Sequence, residues 1–178
     1  MTTTKTVIRP AVVRDVDAVL RLQFALDDES DFMLLSPGER SADPAPLRER
    51  LQAIDAGTDP SYVLVATDGD EHGDQLAGYV DVSVLPYCRA RRTGYVVMGV
   101  RAEHRGRGIG TALLSAAAEH GAGHGLWRLE LTVMEHNRTA LGLYLAGGFQ
   151  VEGRRRAAID DKGTAITEYY LGRLLGPR

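Results

Sequence analysis

The feature that most constrains this chain is an apolar run that passes through a glycine turn into helical spacing. Tyr95-Val96-Val97-Met98-Gly99-Val100 is apolar and β-branched, which predicts a strand, and Arg105-Gly106-Arg107-Gly108-Ile109-Gly110 follows it. From Ile109, the apolar residues Ala112, Leu113, Ala116 and Ala117 recur at the spacing of one buried helix face. Alternate glycines between a strand and a helix let the main chain approach a ligand closely. The first turn of the helix adds unpaired N–H groups at the positive end of its dipole. Together they form an anion site suited to phosphate or pyrophosphate.

The residues around the turn sort the nucleotide sites it could serve. A P-loop requires Lys-Ser/Thr after its last glycine, whereas Gly110 is followed by Thr111-Ala112. A dinucleotide fingerprint requires G-x-G-x-x-G/A. Its sixth position is Thr111 counted from Gly106 and Leu113 counted from Gly108, so neither frame fits. Glu130 stands where a ribose carboxylate would, which keeps that reading open. A plain connecting turn does not require three glycines flanked by two arginines.

What remains is Arg-x-x-Gly-x-Gly at Arg105, Gly108 and Gly110, which resembles the coenzyme A signature of the GNAT superfamily of N-acetyltransferases. Leu129-Glu130-Leu131-Thr132-Val133 reads as the next strand. Asn137, Ala140, Tyr144 and Gly147-Gly148-Phe149 then resemble the family's Asn-x-x-Ala-x-x-x-Tyr helix and its Gly-Phe ending. Ile8-Arg9-Pro10-Ala11 with Asp15 resembles the family's opening. The resemblance covers nearly the whole chain, with its specific part from Tyr95 to Gly153. It implies an α/β (α+β) acyl-CoA N-acyltransferase fold. In that fold the sheet is mixed but mostly antiparallel, and two central parallel strands splay to admit the pantetheine arm.

Elsewhere, Thr6–Arg9 reads as a first strand, and Val16, Val19, Leu20 and Phe24 mark a helix from Asp15. Residues 27–46 change character: Asp27, Asp28, Glu29 and Asp31 form an acidic run, punctuated by Pro37-Gly38, Pro44 and Pro46. Leu47–Ala56 reads as a second helix ended by Gly57. Tyr62–Ala66 and Leu76–Val84 read as strands around the polar loop Asp68–Asp74. Gly121, Gly123 and Gly125 stop the helix that follows the glycine turn, and Trp127–Val133 is the next strand. Asn137 is placed to cap the helix carrying Tyr144. Phe149–Ala158 and Thr164–Leu171 pair around Asp160-Asp161-Lys162-Gly163. The order β-α-α-β-β-β-α-β-α-β-β is the one the resemblance implies.

A chain of 178 residues, 44% hydrophobic, suits one domain spanning 1–178, here an N-acetyltransferase domain. Nothing in a net charge of −3 suggests a general nucleic-acid binder, and no nucleic-acid partner is expected. The single Cys88 rules out an intrachain disulfide, and the five His show no ligand spacing, so no metal is expected. The first residues lack an apolar targeting core and no run reaches membrane length, so the expectation is a cytoplasmic protein with no membrane partner.

The resemblance implies acetyl transfer from acetyl-CoA, as co-substrate, to a primary amine of a small molecule. That chemistry needs a bound thioester, a neutral amine and a proton for the departing thiolate. It assigns the pyrophosphate to Arg105, Gly106, Arg107, Gly108, Ile109, Gly110 and Thr111, and pantetheine to the main chain of Met98, Gly99 and Val100. Gly99 fits equally as a packing glycine or a bulge. Tyr144 matches the tyrosine that protonates the coenzyme A sulfur. It also reads as an aromatic on the apolar face it shares with Ala140 and Leu141. Asn137 is implied to contact the cofactor arm as well as cap its helix.

The general base is open. One position where relatives carry Glu falls in Thr93-Gly94-Tyr95, and another is Thr132. The acidic run precedes the expected acceptor lip, and each of its carboxylates also reads as plainly solvated. Phe32-Met33-Leu34 and Pro37-Gly38-Glu39-Arg40 resemble that lip, with a hydrophobic plug as the plain alternative. Arg40 is the cation expected beside an acceptor carboxylate. Glu130-Leu131-Thr132-Val133 and Val151-Glu152-Gly153 resemble a branch acetylating free amino acids. Protein N-termini, polyamines, aminoglycosides and a non-catalytic acyl-CoA-binding module stay open. A homodimer is common in the family, and the last hairpin offers an edge for one.

Overall fold

The computed structural model describes residues 6–68 and 75–176. Its elements are β1 (Thr6–Pro10), α1 (Val16–Glu29), α2 (Ala45–Asp55), β2 (Tyr62–Asp68), β3 (Leu76–Val84), β4 (Thr93–Val100), α3 (Ile109–Gly123), β5 (Arg128–Met134), α4 (Arg138–Ala146), β6 (Gln150–Asp161) and β7 (Thr164–Leu174). Their order is the expected one. Two boundaries differ for identifiable reasons. α2 begins at Ala45, with Pro44 as its N-cap and Pro46 in its first turn, where a missing N–H breaks no helical bond. α3 continues through Gly121 to Gly123, and the left-handed residue past its end is Gly125, at φ +79°. The polar loop expected over Asp68–Asp74 lies, at residues 69–74, outside the described residues.

The strands form one sheet in the order β1-β2-β3-β4-β5-β7-β6. Only β4 and β5 run parallel, and they pair over Thr93–Tyr95 and Arg128–Glu130 alone. Both strands continue past that point, β4 to Val100 against β3 and β5 to Met134 against β7, without pairing to each other, so the sheet forks at its centre. The Tyr95 hydroxyl lies 2.9 Å from Thr132 Oγ1 and bridges the base of the fork.

Alternation along the strands sends their side chains to two cores. Leu64, Ala66, Val80 and Val82 pack with Leu113, Leu114 and Ala117 of α3, and with Leu129 and Leu131 of β5. Val63, Val65 and Tyr79 point to the other face, where Val16, Val19, Leu22 and Leu26 of α1 and Leu51 of α2 cover them. Truncating any one of the fully buried leucines costs about 2–5 kcal/mol. The fork is thus held open between two independently packed layers.

Candidate active site

The fork opens into a cavity of about 520 Å³. One wall is built by a single contiguous stretch. Met98, Gly99 and Val100 supply the end of β4, and Arg105, Gly106, Gly108, Ile109, Gly110 and Thr111 supply the turn into α3. The three glycines of the turn serve different needs. Gly106 and Gly108 sit at φ +75° and +79°, in the left-handed region where a Cβ is strained. Gly110 has an ordinary φ, but a Cβ there would come within 3.3 Å of Leu143 Cδ2 on α4.

Gly108 is the N-cap of α3, and its carbonyl accepts the first helical bond, from Ala112 N–H at 3.0 Å. The N–H groups of Ile109, Gly110 and Thr111 therefore precede the first intrahelical donor and lie in the wall without helical partners. Arg105 Nε donates to Val100 O at 3.1 Å and ties the turn back to β4. Arg107 is exposed and does not line the cavity: between two left-handed residues its side chain leaves the wall. Gly99 is explained by packing, because a Cβ would lie 2.6 Å from Leu26 Cδ1. The β3–β4 register runs through it without a bulge.

α4 closes the adjacent side. Asn137 caps it, its Oδ1 accepting from Ala140 N–H at 3.1 Å, and it also lines the cavity. Tyr144 lines the cavity from the next turns, buried, with its ring 5.8 Å from that of Phe149. Burial raises its phenol pKa well above the ordinary value, and the Tyr95 and Tyr79 phenols add to the shift. The hydroxyl therefore stays protonated and has a proton to give.

The opposite wall comes from distant parts of the chain. Leu26, Ser30, Phe32 and Met33 descend from the end of α1 and the segment after it, and Thr132, Val133 and Met134 come from β5. Phe32 packs against His136, with ring centroids 5.2 Å apart, and joins that segment to the loop before α4. Glu168 of β7 completes the wall. Thr132 and Met134 face Tyr170 and Glu168 directly across the β5–β7 ladder, on the face opposite Leu171.

With this geometry, the similarity to known proteins has a site to refer to. The family model described as "Acetyltransferase (GNAT) family" matches residues 25–149. The chain belongs to the GNAT family. Among solved GNAT structures, an acetyltransferase of the family from Streptococcus pneumoniae superposes with a TM-score of 0.87, at 25% identity, covering 97% of this chain and all of the other. A GNAT phosphinothricin acetyltransferase from Sinorhizobium meliloti, in complex with AcCoA, gives 0.80 at 22% identity over 96% of this chain and 89% of the other. In sequence, a mycothiol acetyltransferase of Clavibacter michiganensis is 30% identical over 142 residues, 77% of this chain. The chain spans only 42% of that relative's length. An L-methionine sulfoximine/L-methionine sulfone acetyltransferase of Pseudomonas paraeruginosa is 30% identical over 112 residues, covering 62% of this chain and 64% of the other.

Within this GNAT fold, Met98 to Val100, Arg105, Gly106 and Gly108 to Thr111 line one side of the cavity, Asn137 and Tyr144 line the adjacent side, and Phe32 and Met33 line the same cavity; Arg107 does not line it. Arg40 requires a correction. It does not line the cavity, and its guanidinium is spent on Asp27: Nε to Oδ2 at 2.5 Å and Nη2 to Oδ1 at 3.0 Å, with Nη1 to Gln23 at 3.2 Å. It is thus a structural cation, not one presented to an acceptor carboxylate.

The acidic run is less solvated than its composition suggests. Asp27 is buried under Arg40, and Glu29 accepts from Arg101 Nε at 2.7 Å and Ala102 N–H at 2.9 Å. Burial alone would raise the Glu29 pKa, but the Ala102 amide and the Arg101 guanidinium hold it below the usual carboxylate range. Glu130, the ribose-carboxylate candidate, is paired with Arg128 at 2.8 Å and lies outside the cavity wall. The functional candidate that sequence reasoning missed is Glu168. The signal was a single charged residue in phase with Ile166 and Tyr170 on a strand whose other face carries Tyr169 and Leu171.

Proposed function

We propose that this GNAT protein transfers the acetyl group of acetyl-CoA to a primary amine of a small molecule, by direct attack with both substrates bound. The observation that carries the reading is one cavity lined both by the first turn of α3, whose amides have no helical partner, and by the buried Tyr144 hydroxyl. The amides and the left-handed glycines fit a pyrophosphate, which needs donors and close main-chain approach. The end of β4, unpaired beyond Tyr95 on its β5 side, offers main-chain groups of Met98, Gly99 and Val100 to an extended pantetheine arm. Asn137 lies where it can touch the same arm.

Tyr144 is the acid in this reading. As the amine nitrogen bonds to the carbonyl carbon and the C–S bond breaks, the sulfur takes the phenolic proton. Burial disfavours a phenolate, but it disfavours a thiolate in the same cavity for the same reason. The driving force between the two groups is therefore kept.

The acceptor side is apolar at Phe32 and Met33 and carries a carboxylate at Glu168, which suits a small cationic amine. The name of the Pseudomonas relative, an amino-acid-analogue acetyltransferase, supports an acceptor of that size. The test is thiol release from acetyl-CoA over a panel of amino acids, polyamines, aminoglycosides and peptides with free N-termini, with product masses recorded. Release with a small amine and an acetylated product is expected. Release with peptides alone overturns the acceptor class. No release with any amine, together with a coenzyme A melting shift, leaves the binding-module alternative in its place.

A further inference from the structure

We propose that Glu168 forms the amine subsite: it receives the acceptor's amino group and takes the proton released when the N–C bond forms. The inference rests on the acetyl-transfer reading above. The residues at the base of the fork, Thr93-Gly94-Tyr95 and Thr132, hold no carboxylate that could do this.

Three observations carry it. First, three carboxylate residues, Asp15, Asp27 and Glu168, are buried among the described residues, and only Glu168 lines the cavity. Second, the other two are fully spent on the fold. Asp15 gives both oxygens to Arg9 and one also to Val12 N–H, and Asp27 gives both to Arg40. Glu168 gives only Oε2, to Arg155 Nη1 at 2.7 Å, and among the described residues Oε1 has no hydrogen-bond partner. Third, the pair is lopsided: the Arg155 side chain is 55% exposed and that of Glu168 only 8%. A cross-strand pair made for the hairpin alone would leave both groups at the surface, where it contributes little. Here the acid is drawn into the cavity, and the arginine holds it from the solvent side.

The step balances. A neutral amine attacks the thioester carbonyl, so nitrogen gains a bond and a positive charge. That nitrogen's proton passes to Glu168, while the C–S bond breaks and the sulfur takes the Tyr144 proton. Glu168 ends one proton richer and Tyr144 one poorer, and both exchange with water before the next turnover. The products are an amide and free coenzyme A thiol.

The test compares the parent and Glu168→Gln on the best amine of the acceptor panel. The substitution keeps size and shape. The variant is expected to keep its melting temperature and its melting shift with coenzyme A, and to lose about 10²–10⁴-fold in kcat, the usual range for a positioned base. A variant kcat within two-fold of the parent overturns the proposal while leaving acetyl transfer intact. A parent that acetylates no amine overturns both readings together. If Glu168→Gln does not fold, Glu168→Asp keeps the charge for Arg155 but withdraws the carboxylate by one methylene. A marked kcat loss at unchanged stability then supports the proposal, and parental kcat overturns it.

Discussion

The two walls of the cavity are built on different principles. The wall proposed for the cofactor comes from one stretch of chain, Met98 to Thr111, together with α4, and joins the first turn of α3 to polar side chains such as Arg105, Asn137 and Tyr144. The wall proposed for the acceptor takes Leu26, Ser30, Phe32 and Met33, then Thr132 to Met134 and Glu168, from segments far apart in sequence. Long-range contacts hold that wall: Arg40 on Asp27, Glu29 on Arg101, Phe32 on His136 and Arg155 on Glu168. The difference explains why one fold serves many acceptors. Side chains on the second wall can change without disturbing a main-chain cradle on the first.

If that division holds, substitutions on the two walls should fail in different currencies. The largest effect is expected at the junction. Tyr144→Phe removes only the hydroxyl and should lower kcat by about 10²–10⁴-fold. Stability should change by about 1 kcal/mol, and coenzyme A binding should survive. Parental turnover would make Tyr144 a core aromatic. Arg40→Met should cost about 3–5 kcal/mol of stability, because it leaves the buried Asp27 unpaired. Its acceptor KM should remain parental if the folded fraction is assayed. A selective rise in acceptor KM at full stability would return Arg40 to the acceptor site.

Gly108→Ala isolates the backbone term on the cofactor side. No atom lies within 4 Å of the new Cβ, so the cost is the left-handed φ alone, about 1–2 kcal/mol. Coenzyme A affinity should fall by roughly ten-fold as the turn relaxes, with acceptor KM little changed. Normal coenzyme A affinity by calorimetry would break the cradle assignment. Phe32→Ala should show the reverse, a several-fold rise in acceptor KM with parental acetyl-CoA affinity; equal losses for both substrates would mean the segment is a plug.

The smallest effect belongs to neither wall and is electrostatic. Burial alone would raise the Asp15 carboxyl, but Arg9 and the Val12 amide hold it below its ordinary value, and Glu29 is held low by its own partners. Groups lowered in the folded state stabilise it above their unfolded pKa values, near 4. That contribution is lost as pH falls through the lower folded values. Melting temperatures should therefore hold near neutral pH and decline below about pH 4. Asp15→Asn should flatten that decline; an unchanged acid limb would place the loss elsewhere.

The geometry of the glycine turn and of α4 was legible in the sequence because its determinants are local. Left-handed residues need glycine at Gly106 and Gly108, a cap needs an Asn-type side chain at Asn137, and the apolar spacing after Ile109 names the buried face of α3. The acceptor wall was not legible to the same degree. Asp27 and Arg40 meet only because the segment after α1 folds back, so composition alone made one look solvated and the other available. Glu168 pairs with Met134 of β5 and shares a cavity with residues 26–33, neither of which is near it in sequence. Periodicity shows which face of β7 it shares, but not that this face lines a cavity.

Hydrogen exchange on adding coenzyme A tests the central claim, the division into a cofactor wall built from one local stretch and an acceptor wall assembled from distant segments, most directly. The amides of Gly106 to Thr111 and of Met98 to Val100 should gain protection, because they become donors to the ligand or are covered by it. Peptides spanning residues 30–40 and 164–170 should exchange as before. Protection confined to those acceptor-side peptides, with Gly106 to Thr111 unchanged, would contradict the account.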